Sequence, residues 1–253
     1  MAKPKTFVAA GDLHGNLQDK DTVKAFLKFT REYNPDVRIF GGDLWDFACL
    51  RSGAKDSQDE LGQSLDEDYA AGEKFIREYF HGSRGRKIFL MGNHDARPKR
   101  LLRAMDARLR DYGARMLEDM QGILKSLGAE VYDYNKRKGV AQVENMRFIH
   151  GYSSGLYSTR KAAQAYCTVM HFHTHHIDYF REPSLDNVEA WCPGGLCQLD
   201  HDYNSTHMNT LRQQNGWAYG MIFDNGQPPI VNIARKNEQG KGYYVCKKIE
   251  LVG

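Results

Sequence analysis

The sequence predicts one α/β domain spanning residues 1–253, with two packed sheets, helices outside them and a functional site at strand ends. Three observations predict it. Helical periodicity dominates the first half of the chain and strand-like runs dominate the second. Three apolar runs each enter a glycine and then carboxylate, imidazole or amide side chains. These are 7–10 into Gly11-Asp12-Leu13-His14-Gly15-Asn16, 37–40 into Gly41-Gly42-Asp43-Leu44-Trp45-Asp46, and 88–90 into Met91-Gly92-Asn93-His94-Asp95. Finally, no internal repeat or low-complexity linker divides the chain.

The elements follow in order. Residues 6–10 form the first strand. Leu17, Val23, Phe26 and Leu27 give residues 17–33 a helical face, and Asn34-Pro35 stops that helix. Residues 37–40 are the second strand, so the chain opens with a βαβ unit of right-handed crossover. Polar residues 50–64 read as a loop, 66–80 as a helix, 82–85 as a turn and 87–91 as the third strand. A basic, amphipathic helical stretch covers 98–127, with interruptions expected near Gly113 and Gly122 and a C-terminal cap at Gly128. This basic segment, about 97–128, is expected to cap the site. Strands are expected at 129–134, 142–149, 168–172, 188–191, 217–223, 229–234 and 243–251, making the part from about 188 to 251 β-rich. One helix near 158–167 intervenes, and hairpin turns are expected at 224–226 and 238–240.

Composition narrows the function classes. The hydrophobic share of 41% and charged share of 26% are those of an ordinary globular protein, able to bury a substantial core. No apolar run is long enough to span a membrane. The first apolar run ends in Gly11-Asp12 too soon for a signal peptide, so a cytoplasmic location is expected. The five cysteines are odd in number and irregularly spaced, as expected of reduced packing residues. A net charge of +3 is too small to imply nucleic-acid binding by itself. Its distribution is uneven, because Arg97, Lys99, Arg100, Arg103, Arg108, Arg110 and Arg115 crowd into one segment.

The chemistry concentrates in a few clusters. Asp12 and His14 follow the first strand, Asp43 the second, and Asn93 and His94 the third. His150 follows a fourth apolar run, and His171, His173, His175 and His176 close a fifth. Oxygen and imidazole donors together suit Mn, Fe, Zn, Co or Ni better than Mg or Ca. No cysteine falls in these clusters. The ligands exceed what one ion needs and suit two, roughly 3.5–4 Å apart and bridged by a carboxylate. Asp43, on the middle strand of the three, is the expected bridge. An isolated Asp-x-His is ordinarily polar surface, and Gly-Asn-His-Asp alone can be a stabilised turn. Their joint occurrence after apolar strands points to a site.

The blocks Asp12-x-His14, Gly42-Asp43-x-x-Asp46, Gly92-Asn93-His94-Asp95, His150-Gly151 and His173-x-His175 together resemble the calcineurin-like metallophosphoesterase superfamily. They occur in that family's order. Residues 191–197, Tyr203 and 215–220 look like the tail of its phage-type and bacterial members. The resemblance implies a two-sheet αββα sandwich with a dinuclear metal site at strand C-terminal ends, and hydrolysis of phosphomonoesters or phosphodiesters. It implies that Asp12, His14 and His175 hold one ion, that Asn93, His150 and His173 hold the other, and that Asp43 bridges. It also implies that His94 contacts the substrate phosphate and protonates the leaving group, with Asp95 accepting the other ring hydrogen of His94. The cofactors expected are two divalent transition-metal ions, manganese first, with Fe, Zn, Ni or Co as alternatives.

Three departures stand out. Phe172 occupies the place of the family's glycine and either fills space or shields the second metal. His171-x-His173 fits the spacing as well as His173-x-His175; Thr174 between the latter pair favours it, leaving His171 as a wall residue. The second block lacks the Arg-Gly that follows in protein serine/threonine phosphatases, which argues against that activity.

The expected partner is a phosphoester substrate, with DNA, RNA or a nucleotide as candidates. Arg97, Lys99 and Arg100 begin directly after Asp95, where they would meet phosphates. Tyr152, with Tyr157 and Arg160, follows His150 and would line the pocket. Trp45 is either a stacking face for a base or a core residue, and Asp46 would hold a neighbouring loop or ligand. The competing class is a catalytically silent scaffold of the same fold, as in some trafficking relatives. Its signature is a lost ligand or a lost His94, and all are present. A pure nucleic-acid binder finds no helix-turn-helix or RNA-binding signature.

Overall fold

Phe7 and Ala9 face one side of the first strand and Val8 and Ala10 the other, and each pair belongs to a different buried core. That period-two alternation divides the molecule into layers. The computed structural model describes residues 3–51, 64–199, 208–237 and 242–245. Its strands are β1 (Lys5–Ala10), β2 (Val37–Phe40), β3 (Arg86–Leu90), β4 (Glu130–Tyr132), β5 (Ala141–Val143), β6 (Met146–Ile149), β7 (Val169–His171), β8 (Ile177–Arg181), β9 (Glu189–Pro193), β10 (Gly216–Ile222), β11 (Ile230–Lys236) and β12 (Tyr243–Tyr244). Its α-helices are α1 (Lys20–Tyr33), α2 (Leu65–Phe80), α3 (Ala107–Ser126) and α4 (Ser158–Tyr166).

Seven strands form one sheet in the order β12-β11-β10-β1-β2-β3-β4, and five form the other in the order β5-β6-β7-β9-β8. β1 to β4 are parallel neighbours, as are β6, β7 and β9. Parallel strands point all their C-terminal ends the same way, which is what lets loops far apart in sequence meet. The inner faces pack Phe7, Ile39, Ile88 and Leu90 against Phe148, Met170, Phe172 and Trp191. The outer face of the first sheet is covered by apolar stripes of α1, α2 and α3, among them Phe26, Phe75, Ile76, Met116 and Met120. α4 covers the second sheet with Ala162 and Ala163 against Val169 and Ala190. The result is helices, sheet, sheet, helix: the two-sheet α/β sandwich. Among the described residues no helix is long and apolar enough to cross a membrane.

Several boundaries differ from expectation for local reasons. The stretch 98–127 is a 3₁₀ segment over Arg97–Arg103 and then an unbroken α3. The break falls at Asp106, whose carboxylate caps the helix by accepting the Arg108 N–H. Gly113 does not interrupt α3; it makes room for Leu101, since a Cβ there would lie 2.6 Å from the Leu101 Cβ. The expected strand 142–149 is a hairpin of β5 and β6 that reverses at Glu144, with φ 49°. β8 carried no clear sequence signal, because this edge strand is only partly buried. The turn expected at 238–240 and most of the strand expected at 243–251 lie outside the described residues.

Candidate metal centre

The loops after β1 and β2 are stapled together through their backbones. The Asp12 N–H donates to the Gly42 carbonyl at 2.8 Å, and the Leu13 and His14 N–H groups donate to the Asp43 carbonyl at 2.9 and 3.0 Å. Asp12, His14, Asp43, His173 and His175 all have φ between 52° and 78°. Left-handed backbone at a non-glycine residue costs of order 1–3 kcal/mol and persists only where the surroundings impose it. Five such residues at one place mark a site whose geometry takes precedence over local comfort. Glycines make the close approach possible: a Cβ on Gly92 would lie 2.0 Å from Asp43 Oδ1, and one on Gly42 would lie 2.6 Å from His150 Nδ1.

Asp43 lies at the middle. Its Oδ2 is 3.3 Å from His150 Nε2, 3.9 Å from His94 Nε2 and 4.0 Å from His14 Nε2. On one side, His14 Nε2 is 3.2 Å from His175 Nε2, which is 3.5 Å from Asp12 Oδ1. On the other, His150 Nε2 is 2.9 Å from Asn93 Oδ1, and the His150 and His173 rings are 5.2 Å apart. The chain thus brings Asp12, His14, Asp43, Asn93, His150, His173 and His175 together in two lobes that share Asp43. His14–Asp43–His94 and Asp43–His150–His173 each converge with ligand atoms within 4.8 Å.

The electrostatics agree with a place for cations. Burial opposes ionisation of Asp12 and Asp43, yet His175 beside Asp12 and His150 and His94 beside Asp43 hold both carboxyls below the usual range. Burial lowers His150 too, but Asp43 overrides it and lifts the ring to about 9. His14 and His173 go the other way: burial lowers both, His173 to about 4. The His173 Nδ1 is buried with no hydrogen-bond partner among the described residues. A buried imidazole nitrogen without a partner, beside two buried carboxylates, fits a borderline divalent metal ion and is costly without one.

One expected contact is corrected. Asp95 does not touch His94; its carboxylate accepts the N–H groups of Gly92, Asp43, Leu44 and Trp45 at 2.8–3.1 Å, clamping the β2 and β3 loops together. Burial and the charge of Asp43 push its carboxyl up to about 7. The partner of His94 is Asp46, whose Oδ1 lies 2.8 Å from His94 Nδ1 and 2.7 Å from His14 Nδ1. Asp46 is in turn fixed by Asp68, which accepts the Asp46 and Phe47 N–H groups. The 66–80 helical pattern did not single out Asp68; the available signal was a carboxylate at the helical spacing of Phe75, Ile76 and Tyr79, and the structure buries it to 3% exposure.

The remaining candidates divide. Arg97 reaches the site, with Nη1 donating to the Asp46 carbonyl at 2.7 Å and Nη2 lying 3.1 Å from His94 Nε2. Lys99 is taken by an ion pair with Asp133 beyond β4, and Arg100 is solvent-exposed. Tyr152 donates its hydroxyl to the Asn135 carbonyl and packs on Tyr134, whose ring lies 5.7 Å from that of His150. Trp45 is fully buried with Nε1 donating to the Tyr69 carbonyl, so it is core and not a base-stacking face. His171 faces away, Nε2 meeting Thr159 Oγ1 on α4 at 2.9 Å, which leaves His173 and His175 as the pair in the cluster. Phe172 fills the space between the sheets: a Cβ on Gly41 would lie 2.2 Å from its ring. Cys197 was missed and does join the cluster, with Sγ 3.6 Å from His175 Nδ1.

A family model described as calcineurin-like phosphoesterase matches residues 5–220. Solved structures similar in fold include a metallophosphoesterase from Sphaerobacter thermophilus, 15% identical, covering 92% of this chain and 88% of that one with a TM-score of 0.49. Zinc-complexed Vps29 from Entamoeba histolytica is 12% identical, covering 92% and 93% with a TM-score of 0.48. Yfce, a phosphoesterase from E. coli, is 14% identical, covering 89% and 96% with a TM-score of 0.40. Comparison with curated proteins finds no match.

Proposed function

The chain belongs to the calcineurin-like phosphoesterase family, and from that premise we propose that it hydrolyses phosphoester bonds with two divalent cations and a histidine acid, acting on nucleic-acid or nucleotide substrates. The observation that carries the reading is the shared carboxylate: Asp43 Oδ2 within 4.0 Å of imidazole nitrogens from both lobes. Asp12, His14 and His175 would hold one ion, Asn93, His150 and His173 the other, and Asp43 both; manganese is the first choice. When bound, such a pair neutralises phosphate charge and acidifies water towards a pKa of about 7.

The chain's own residues supply the rest. His150 Nδ1 lies 2.8 Å from the Gly41 carbonyl. A ring hydrogen on Nδ1 donates there and leaves Nε2 as a bare donor atom for a cation. Asp46 does the same for His14 and, through the same oxygen, orients the ring of His94 at its Nδ1. Arg97 Nη2 caps His94 Nε2 in the resting protein. A substrate phosphoryl oxygen that takes over the guanidinium releases that nitrogen to carry a proton to the leaving oxygen. Exposed Arg100 and Arg103 continue from Arg97 along the same segment and offer cations to a polyanionic chain.

The test is parallel turnover of bis-nitrophenyl phosphate, nitrophenyl phosphate and single-stranded DNA with Mn. Turnover of the diester and DNA supports the nucleic-acid reading. Turnover of the monoester alone makes the protein a phosphatase. No turnover with Mn, Fe, Zn, Co or Ni overturns catalysis.

A further inference from the structure

We propose that Cys197 is the positioning residue for His175, accepting the ring hydrogen on Nδ1 so that Nε2 is left bare for a divalent cation. The inference rests on the two-cation reading above. Neutral imidazole has one ring hydrogen, and a ligating nitrogen must be the one without it. His175 Nε2 is the inward nitrogen, 3.2 Å from His14 Nε2 and 3.5 Å from Asp12 Oδ1. The hydrogen therefore belongs on Nδ1, where Cys197 Sγ lies 3.6 Å away. The ligand atoms of His14, His175 and Cys197 lie within 4.8 Å of one another, but Sγ meets His175 at Nδ1, the ring nitrogen other than the one facing His14 and Asp12, so the proposal makes the sulfur a support for that ring and not a ligand.

Cys197 is held for this task. It is fully buried. Its carbonyl accepts from Asn215 Nδ2 at 2.7 Å, the preceding Leu196 N–H donates to the Asp12 carbonyl at 3.1 Å, and the following Gln198 N–H donates to the Leu17 carbonyl at 2.8 Å. The loop carrying the thiol is thus built onto the loop carrying Asp12 and His14. His14 uses a carboxylate, Asp46, for the same purpose at 2.7 Å. One lobe would therefore pair a strongly supported imidazole with one supported by a weak sulfur acceptor.

The experiment titrates the metal-free full chain with Mn and Co against a competing fluorescent chelator. Wild type is expected to bind two ions. Cys197→Ala should weaken one of them by about 10–100-fold and leave the other unchanged. Cys197→Ser, which restores an acceptor, should recover most of the loss. Cys192→Ala, a buried cysteine bonded to Thr174 instead, should bind as wild type. The cobalt form of wild type should lack a sulfur-to-cobalt charge-transfer band. Wild-type affinity for both ions in Cys197→Ala, or a charge-transfer band in wild type, overturns the proposal alone. A wild type that binds no ion overturns it together with the two-cation reading. Should Cys197→Ala fail to fold, Cys197→Ser against Cys197→Val decides by the same measure.

Discussion

Asp46 Oδ1 lies 2.8 Å from His94 Nδ1, closing a contact across 48 residues of sequence. The same oxygen is 2.7 Å from His14 Nδ1. One carboxylate thus orients both the proposed acid and one proposed metal ligand. Burial opposes its charge, but the two imidazoles hold it ionised far below the usual carboxylate range.

Asp46→Ala should therefore damage two things at once. Loss of the His14 contact should weaken one cation by about 10–100-fold. Loss of the His94 contact should lower kcat by roughly 10²-fold or more even at saturating metal. Metal titration and kcat at saturation separate the two effects; a variant defective in neither makes the shared oxygen incidental.

His94→Gln should keep both ions and lose about 10²–10⁴-fold in kcat on an alkyl phosphoester, whose leaving oxygen needs a proton. On nitrophenyl esters the loss should be much smaller, because that leaving group departs unprotonated. Equal losses on both substrates would move His94 from proton donor to phosphate binder.

Phe172 and Gly41 should be energetically coupled. Phe172→Ala leaves a hole between the sheets and should cost about 3–5 kcal/mol by urea unfolding. Gly41→Ala forces a methyl into the Phe172 ring and should also destabilise. The double variant should cost clearly less than the sum, since removing the ring gives the methyl its space. Additive costs would mean the two residues do not share that space.

Acid should destabilise the fold through His171. Burial lowers its pKa from 6.5 to about 4, so between those values the unfolded chain binds a proton that the folded chain refuses. Stability contributed by the neutral ring is complete above pH 6.5 and falls as the pH drops towards 4. His171→Gln, which can still meet Thr159, should flatten the urea-midpoint profile over that window and leave metal binding intact. An unchanged slope, or a lost cation, would contradict the outward placement of this ring.

Much of the site was legible because each candidate ligand ends an apolar run, and an apolar run of four or five residues between turn signals has few structural alternatives to a buried strand. Asp12, Asp43, Asn93 and His150 could be singled out this way. The helical stretch 98–127 was legible as amphipathic, but its true break at Asp106 was hidden behind two glycines that looked like better stops and prove to serve packing and continuity. Period-two alternation left the histidine register open, because His171, His173 and His175 are all two residues apart.

The sequence alone determined the α/β class, the strand ends that carry polar side chains, and the residue types available for cations. The tertiary structure decided who supports whom: Asp46 and not Asp95 beside His94, Asp95 on four backbone N–H groups, Thr159 turning His171 outward, and Cys197 beside His175. Apart from the Gly92 N–H, three residues from Asp95, those contacts span 12 to 52 residues of chain. Local periodicity fixes which face a side chain occupies, but only the packing of two sheets sets which distant side chain waits on that face to meet it.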